Sequence, residues 1–221
     1  MRDKIRFSRL CELLSEADSF ADIGCDHGYF CEYMLSNGLC RKAYACDISA
    51  ACLQKAEKRL KEYIRVGRCV PLVTDGLAGV PEDVSLVLIA GLGGREIVRI
   101  LQNGFMPKKF VFQPMKNASA LREELLSKGA RIERDFTFES GGKFYDVIGG
   151  EGRGGTDAYS AAERLFGREN VQKRGRDFLA FLDEKIRKSE QVLSRPVSEA
   201  ERARIEREIT LYKGVKNGEI G

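Results

Sequence analysis

No stretch of this chain approaches the roughly 18 consecutive apolar residues of a membrane-spanning helix. Its opening, Met1-Arg2-Asp3-Lys4, is charged rather than an apolar leader. The expectation is a cytoplasmic protein without a membrane partner. Histidine is almost absent: His27 is the only one among 221 residues. The seven cysteines form no C-x-x-C pair. A structural zinc site draws its ligands from clustered cysteine and histidine, so no metal is expected. Cys46, Cys52 and Cys69 fall in apolar settings and read as buried, reduced thiols. The dinucleotide fingerprint G-x-G-x-x-G is missing, which argues against a nicotinamide-dependent oxidoreductase. Internal repeats and low-complexity tracts are missing too. A net charge of +4 permits an anionic partner without demanding one.

What the chain does contain is alternation of strand and helix. Hydrophobic residues make up 43% and charged residues 32%, ordinary values for a globular protein with one core and an appendage. An amphipathic helix is predicted over 5–16. Strands are predicted over 20–24, 42–47, 69–74, 84–90, 109–113, 131–138 and 143–149. Helices are predicted over 28–37, 49–63, 94–102 and 117–128, with Ser49 and Asn117 as N-caps. The nearly all-apolar run Val84–Ala90 suits a central parallel strand buried on both faces. Gly141-Gly142 between the last two strands is a hairpin signal. The predicted fold is α/β: five βα units closed by an antiparallel hairpin, a Rossmann-like seven-stranded sheet of the class I methyltransferase type. Residues 151–156 read as a linker. Beyond it, Leu179, Leu182, Ile186 and Leu193 lie near heptad spacing. A turn at Arg195-Pro196 and a capping box Ser198-x-x-Glu201 then introduce a helix carrying Ile205, Ile209 and Tyr212. This gives two expected units, residues 1–155 and a helical, coiled-coil hairpin over 156–221. The heptads fit a monomer or a weak homodimer.

The chemistry collects at strand ends, where open α/β sheets bind ligands. The first strand runs into Ala21-Asp22-Ile23-Gly24-Cys25-Asp26-His27-Gly28, and the second ends at Asp47-Ile48. Glycine lets backbone approach a ligand, and a carboxylate about 20 residues on accepts ribose hydroxyls. Asp26 would repel a phosphate, so the adenosine carries no diphosphate. S-adenosyl-L-methionine fits that description. The third strand ends in Asp75-Gly76-Leu77, where the carboxylate would take the adenine amino group and Leu77 would pack on the ring. The fourth ends in Ala90-Gly91-Leu92-Gly93-Gly94, and the fifth in Phe112-Gln113-Pro114. An Asp-Gly or glycine turn alone is a common structural device. The ordered set of acid and glycine signals at successive strand ends is what indicates a cofactor pocket. The fourth strand lacks the Asn/Asp-Pro-Pro-Tyr/Phe motif that many exocyclic-amine methyltransferases use. His27 lies inside the cofactor loop, beside Asp26.

Taken together, Asp22-Ile23-Gly24-Cys25-Asp26-His27, Asp47-Ile48, Asp75-Gly76-Leu77, Ile89–Gly94 and Gln113-Pro114 resemble the bacterial tRNA (adenine-N1)-methyltransferase family TrmK. Arg9-Leu10 and the C-terminal hairpin are also similar to it, so the resemblance spans almost the whole chain. Cys25, Gly28, Leu92 and Phe112 depart from the usual residues of that family. The resemblance implies methyl transfer from S-adenosyl-L-methionine to N1 of adenine 22, at the base of the tRNA D-arm. It implies cofactor contacts from Arg9, Asp22, Gly24, Cys25, Asp26, Asp47, Ile48, Asp75, Gly76, Leu77, Ala90, Gly91 and Gly93. Asp26, then His27, are the expected proton acceptors. Gln113 and Pro114 are expected near the target base. Arg95, Lys116, Lys173, Arg174, Lys185, Arg187 and Lys188 are expected on the RNA, although any of these cations can equally belong to a solvated face. The competing readings are another class I RNA or small-molecule methyltransferase, and a non-catalytic protein that binds S-adenosyl-L-methionine or RNA.

Overall fold

The computed structural model describes residues 3–155 and 158–220. Its elements run α1 (Lys4–Cys11), β1 (Ala17–Ile23), α2 (Tyr29–Ser36), β2 (Cys40–Asp47), α3 (Ala50–Arg65), β3 (Cys69–Val73) and β4 (Leu86–Ala90). They continue α4 (Gly94–Asn103), β5 (Lys109–Gln113), α5 (Ala118–Ser127), β6 (Ala130–Ser140) and β7 (Lys143–Gly154). The last are α6 (Ala161–Phe166), α7 (Arg168–Lys173), α8 (Arg176–Leu193) and α9 (Glu199–Asn217). The strands form one seven-stranded sheet in the order β3-β2-β1-β4-β5-β7-β6. β1 to β5 are parallel, and β7 runs antiparallel to both β5 and β6. The order reverses between β1 and β4, so the carboxyl ends of those strands flank a crevice.

Period-two alternation divides the sheet between two apolar layers. Leu86 and Leu88 of β4 face the layer built with Leu53, Ala56 and Leu60 of α3. Val87 and Ile89 face the layer built with Ile97 and Ile100 of α4 and Leu121 and Leu125 of α5. Helix starts follow the caps only in part. Ser49 accepts from the Cys52 amide at 3.3 Å, as expected. Asn117 stands at its N-cap position in the left-handed region, φ 56°, and makes no side-chain cap. The Gly141-Gly142 turn has both φ values positive, 59° and 75°, the signature of a tight hairpin turn.

Two expectations are corrected. Residues 151–154 are not a linker but the end of β7. Glycine is needed there because a Cβ on Gly150 or Gly152 would overlap the carbonyls of Arg131 and Pro107. The helix expected over 5–16 ends at Cys11, where the chain turns to enter β1.

The C-terminal part also holds more than a hairpin. Short helices α6 and α7 precede it and dock on β6 through a buried polar network. Arg122 Nε donates to both Asp135 oxygens at 2.8 and 3.1 Å, and its Nη1 donates to the Leu165 carbonyl at 3.0 Å. Asn170 accepts from the Thr137 amide at 2.9 Å and donates to the Thr137 hydroxyl at 2.7 Å. α8 and α9 then pack antiparallel through Leu182 and Val215 near the base and Ile186, Ile205 and Ile209 further out.

Candidate active site

The β1–α2 loop is the centre of the site, and its backbone is satisfied from within. The Gly24 and Cys25 amides both donate to the Cys46 carbonyl, at 2.8 and 2.9 Å, and the Gly28 amide donates to the Cys25 carbonyl at 2.8 Å. The Asp26 amide donates to Asp47 Oδ2 at 3.1 Å. Four amides that a dinucleotide loop would turn toward pyrophosphate are therefore occupied. Gly24 takes φ +77° with open space where a Cβ would stand. Asp26 is left-handed as well, φ 46°, a conformation that costs a non-glycine residue energy and recurs at functional sites.

This loop borders a cleft of about 630 Å³, within the range of small-molecule sites. Asp22, Gly24, Cys25, Asp26 and His27 form one wall, Ala90 and Gly91 another. Arg6, Phe7, Tyr29 and Phe30 close it and were not expected from the sequence. Asp22 is only 2% exposed, and its Oδ2 has no hydrogen-bond partner. Burial, then the Asp47 charge, pushes its carboxyl up to about 7; Arg6 opposes the shift and Asp26 adds to it. Next door, Asp47 Oδ1 accepts from the Ser49 amide at 2.8 Å, which orients the carboxylate and leaves lone pairs for further donors. Ile48 is 71% exposed beside it, an apolar surface with nothing packed on its face. His27 Nε2 lies 3.5 Å from Asp26 Oδ2, and Lys55 Nζ 3.9 Å from Asp26 Oδ1.

This donor set fits S-adenosyl-L-methionine. An unpartnered buried carboxylate matches an α-ammonium group, a second carboxylate at the tip of β2 matches ribose hydroxyls, and Ile48 offers an apolar face to adenine. Gly91, at φ +93° with its amide donating to the Gln113 carbonyl at 3.0 Å, leaves the β4 end open to the cleft.

Other expected site residues stand elsewhere. Arg9 points away from the cleft into an exposed pair with Glu12 at 3.2 Å; Arg6, one turn earlier, occupies the cleft instead. Leu77 is buried beside Ile100 and cannot lie on an adenine ring, because α4 covers it. Gly76 serves the turn before it, at φ +64°. Asp75 stays exposed at the end of β3, 3.7 Å from Arg99. Gly93 is the N-cap of α4, and Gly94 is glycine because a Cβ would overlap the Asn117 carbonyl. Gln113 is fully buried, and its Oε1 accepts from Arg6 Nε at 2.6 Å, so it holds Arg6 rather than a base edge. Pro114 is buried behind it, while Arg95 and Lys116 are exposed near the start of α4.

The remaining expected RNA cations separate into three places. Lys185 and Lys188 share one stripe of α8 with Phe181 and border a groove against the β6–β7 hairpin. Arg187 is exposed but off that stripe. Lys173 pairs with Glu169 at 2.7 Å, and the Arg174 guanidinium packs over Gly218 at the end of α9, so both are engaged within the helical part. Arg6, Tyr29 and Phe30 escaped the sequence reading because a helix flank carries no strand-end signal.

Among the described residues no group of His, Cys, Asp or Glu could hold a metal ion, and no helix is long and apolar enough to cross a membrane.

Comparison with known proteins agrees with this geometry. Residues 4–148 match the methyltransferase domain family. A Mycoplasma pneumoniae protein provisionally named a tRNA methyltransferase is 33% identical over 149 residues, 66% of this chain and 70% of that one. The Bacillus subtilis tRNA (adenine(22)-N(1))-methyltransferase is 26% identical over 148 residues, 65% of this chain and 62% of that one. A Streptococcus pneumoniae protein provisionally named a tRNA (m1A22) methyltransferase, solved with S-adenosyl-L-methionine, superposes with TM-score 0.86 at 26% identity, covering 96% of this chain and 98% of that one. This chain belongs to the methyltransferase domain family and, within it, to the TrmK family of tRNA methyltransferases.

Proposed function

We propose that the protein transfers the methyl group of S-adenosyl-L-methionine to N1 of adenine 22 in tRNA. The observation that carries this reading is the buried Asp22 carboxylate, its Oδ2 without a hydrogen-bond partner, lining the cleft in a chain of this family. The cofactor, when bound, supplies a methyl group on a positively charged sulfur. Asp22 holds the α-ammonium group, Asp47 the ribose, and Ile48 and Asp75 the adenine.

Adenine N1 has an in-plane lone pair, so it can form the new N–C bond directly as the C–S bond breaks, leaving S-adenosylhomocysteine. No covalent intermediate on the protein is needed. What remains for the chain is alignment and charge. The cleft walls hold both reactants in line and exclude water. The adenine ring becomes cationic after transfer, and its exocyclic amine then loses a proton. Asp26, held at the cleft rim by its left-handed backbone, stabilises that positive charge and accepts the proton, with His27 beside it as the next acceptor. The target base must leave its stacked position in the tRNA to reach this cleft. Residues 1–155 carry the chemistry, and residues 156–221 extend the surface that meets RNA, with Lys185 and Lys188 among the phosphate contacts.

The test is transfer of labelled methyl to an unmodified tRNA transcript and to a transcript with guanine replacing adenine 22. Transfer to the first alone, with N1-methyladenosine as product, is expected. Transfer to both, or to neither, overturns the reading.

A further inference from the structure

A second cavity, of about 330 Å³, backs onto the cofactor cleft. Its floor is aromatic: Phe144 of β7 and Phe181 of α8 meet edge to face, ring centroids 5.6 Å apart at 71°. Met115, 49% exposed just past β5, forms one side, and Tyr145 the back. The partition between cavity and cleft is thin. Tyr145 lies 5.6 Å below the Arg6 guanidinium, which itself lines the cleft. Gln113 joins the two sides, accepting from Arg6 and donating to Met115 Sδ at 3.5 Å.

The rim is cationic. Lys143 comes from the hairpin, Lys185 and Lys188 from α8. The one acid among the described residues lining it, Glu184, is paired with Lys188. Lys185 Nζ sits 5.3 Å over the Phe181 ring. A planar group on the aromatic floor would therefore have anions met by Lys143 and Lys185.

We propose that this groove receives the base of the nucleotide next to the methylated adenine, with its flanking phosphates on Lys143 and Lys185. The inference rests on the tRNA reading above. Taking one base out of a stack strips its neighbour of a stacking partner, and aromatic side chains replace that partner without regard to sequence. The volume suits one base, and the charge suits its phosphates. An acidic peptide would match the lysines but would leave the paired rings without a planar partner.

The test uses the full-length protein with S-adenosylhomocysteine and a tRNA transcript carrying 2-aminopurine at each position flanking adenine 22 in turn. In the complex with the unaltered protein, the 2-aminopurine at one of the two positions is expected to stay quenched on the aromatic floor, while the other brightens severalfold as adenine 22 leaves the stack. Phe144→Leu with Phe181→Leu is expected to abolish that quenching and raise the tRNA KM about tenfold. Cofactor affinity should stay unchanged, and the variant, although its melting temperature falls through lost ring packing, should remain folded at the assay temperature. Lys143→Glu with Lys185→Glu, surface changes that spare the core, should lower the slope of log affinity against log salt by about 2. Persistent quenching in the leucine variant, an unchanged salt slope, or competition by polyglutamate instead of RNA oligonucleotide overturns the proposal. If the unaltered protein methylates tRNA and both variants do so with unchanged KM, the groove fails alone. If the unaltered protein methylates no tRNA, the functional reading fails with it.

Discussion

Asp22, near the end of β1, and Asp26, in the loop that follows it, face opposite environments. Asp22 is buried with one oxygen unpartnered, so its carboxyl titrates up at about 7 instead of near 3.8. The unfolded chain ionises there at ordinary acidity, while the folded chain keeps the proton longer. The contribution of Asp22 to folding stability therefore falls as pH rises from about 4 to about 7, and is level above that. A cationic ligand group demands the ionised form, so cofactor affinity should rise across the same upper limit, from about pH 6 to about pH 8. Isothermal titration across that range should show the rise, and Asp22→Asn should flatten it while weakening binding at every pH. Asp26 is exposed and reaches the cleft from a left-handed residue. Asp26→Asn should lower kcat by about a hundredfold with unchanged cofactor affinity; single-turnover transfer and a separate binding titration check the two halves. Both acids were legible in the sequence because they flank Gly24, where the first strand runs out into its loop. Arg6 was not, since a cation on a helix flank looks the same whether it faces solvent or a cleft.

The elements were legible where period and punctuation agreed. β4 declares itself by an unbroken apolar run, and α3 by Ser49 ahead of an amphipathic stretch. Ser49→Ala should cost about 1 kcal/mol in urea denaturation, from loss of the bond to the Cys52 amide. The end of β7 misleads because its glycines look like a linker, although they are there to let neighbouring backbone approach. Gly152→Ala should destabilise by about 3 kcal/mol, since the new methyl meets the Pro107 carbonyl and backbone yields poorly. A truly flexible linker would tolerate that change, so equilibrium unfolding distinguishes the two. Helices α6 and α7 are six residues each, too short to establish a 3.6-residue period, and their position depends on contacts with β6 that lie far away in sequence.

Across the whole molecule, the C-terminal helices are fastened to the sheet by a charged side chain with no exposure to water. Arg122 reaches β6, β7 and α6 at once. Removing it leaves Asp135 buried without its cation, so Arg122→Met should cost about 3–5 kcal/mol. Limited proteolysis should then cut first within residues 158–220, before the sheet opens. The sequence lists Arg122, Asp135 and Asp146 without any pattern connecting them, which is why this clasp could not be read in advance. A comparable long-range tie sits at the other end of the chain. Asp3 caps α1 through the Arg6 amide at 2.8 Å and accepts from the Ser140 hydroxyl at 2.7 Å, across 137 residues. The cleft thus borrows its roof from α1 and its anchor from the end of β6. A nascent chain emerging from the ribosome would expose every acidic strand end long before that anchor exists. Capture of the cofactor should therefore wait until the end of β6 is in place beneath α1, so that the acidic strand ends hold nothing before the cleft has its roof.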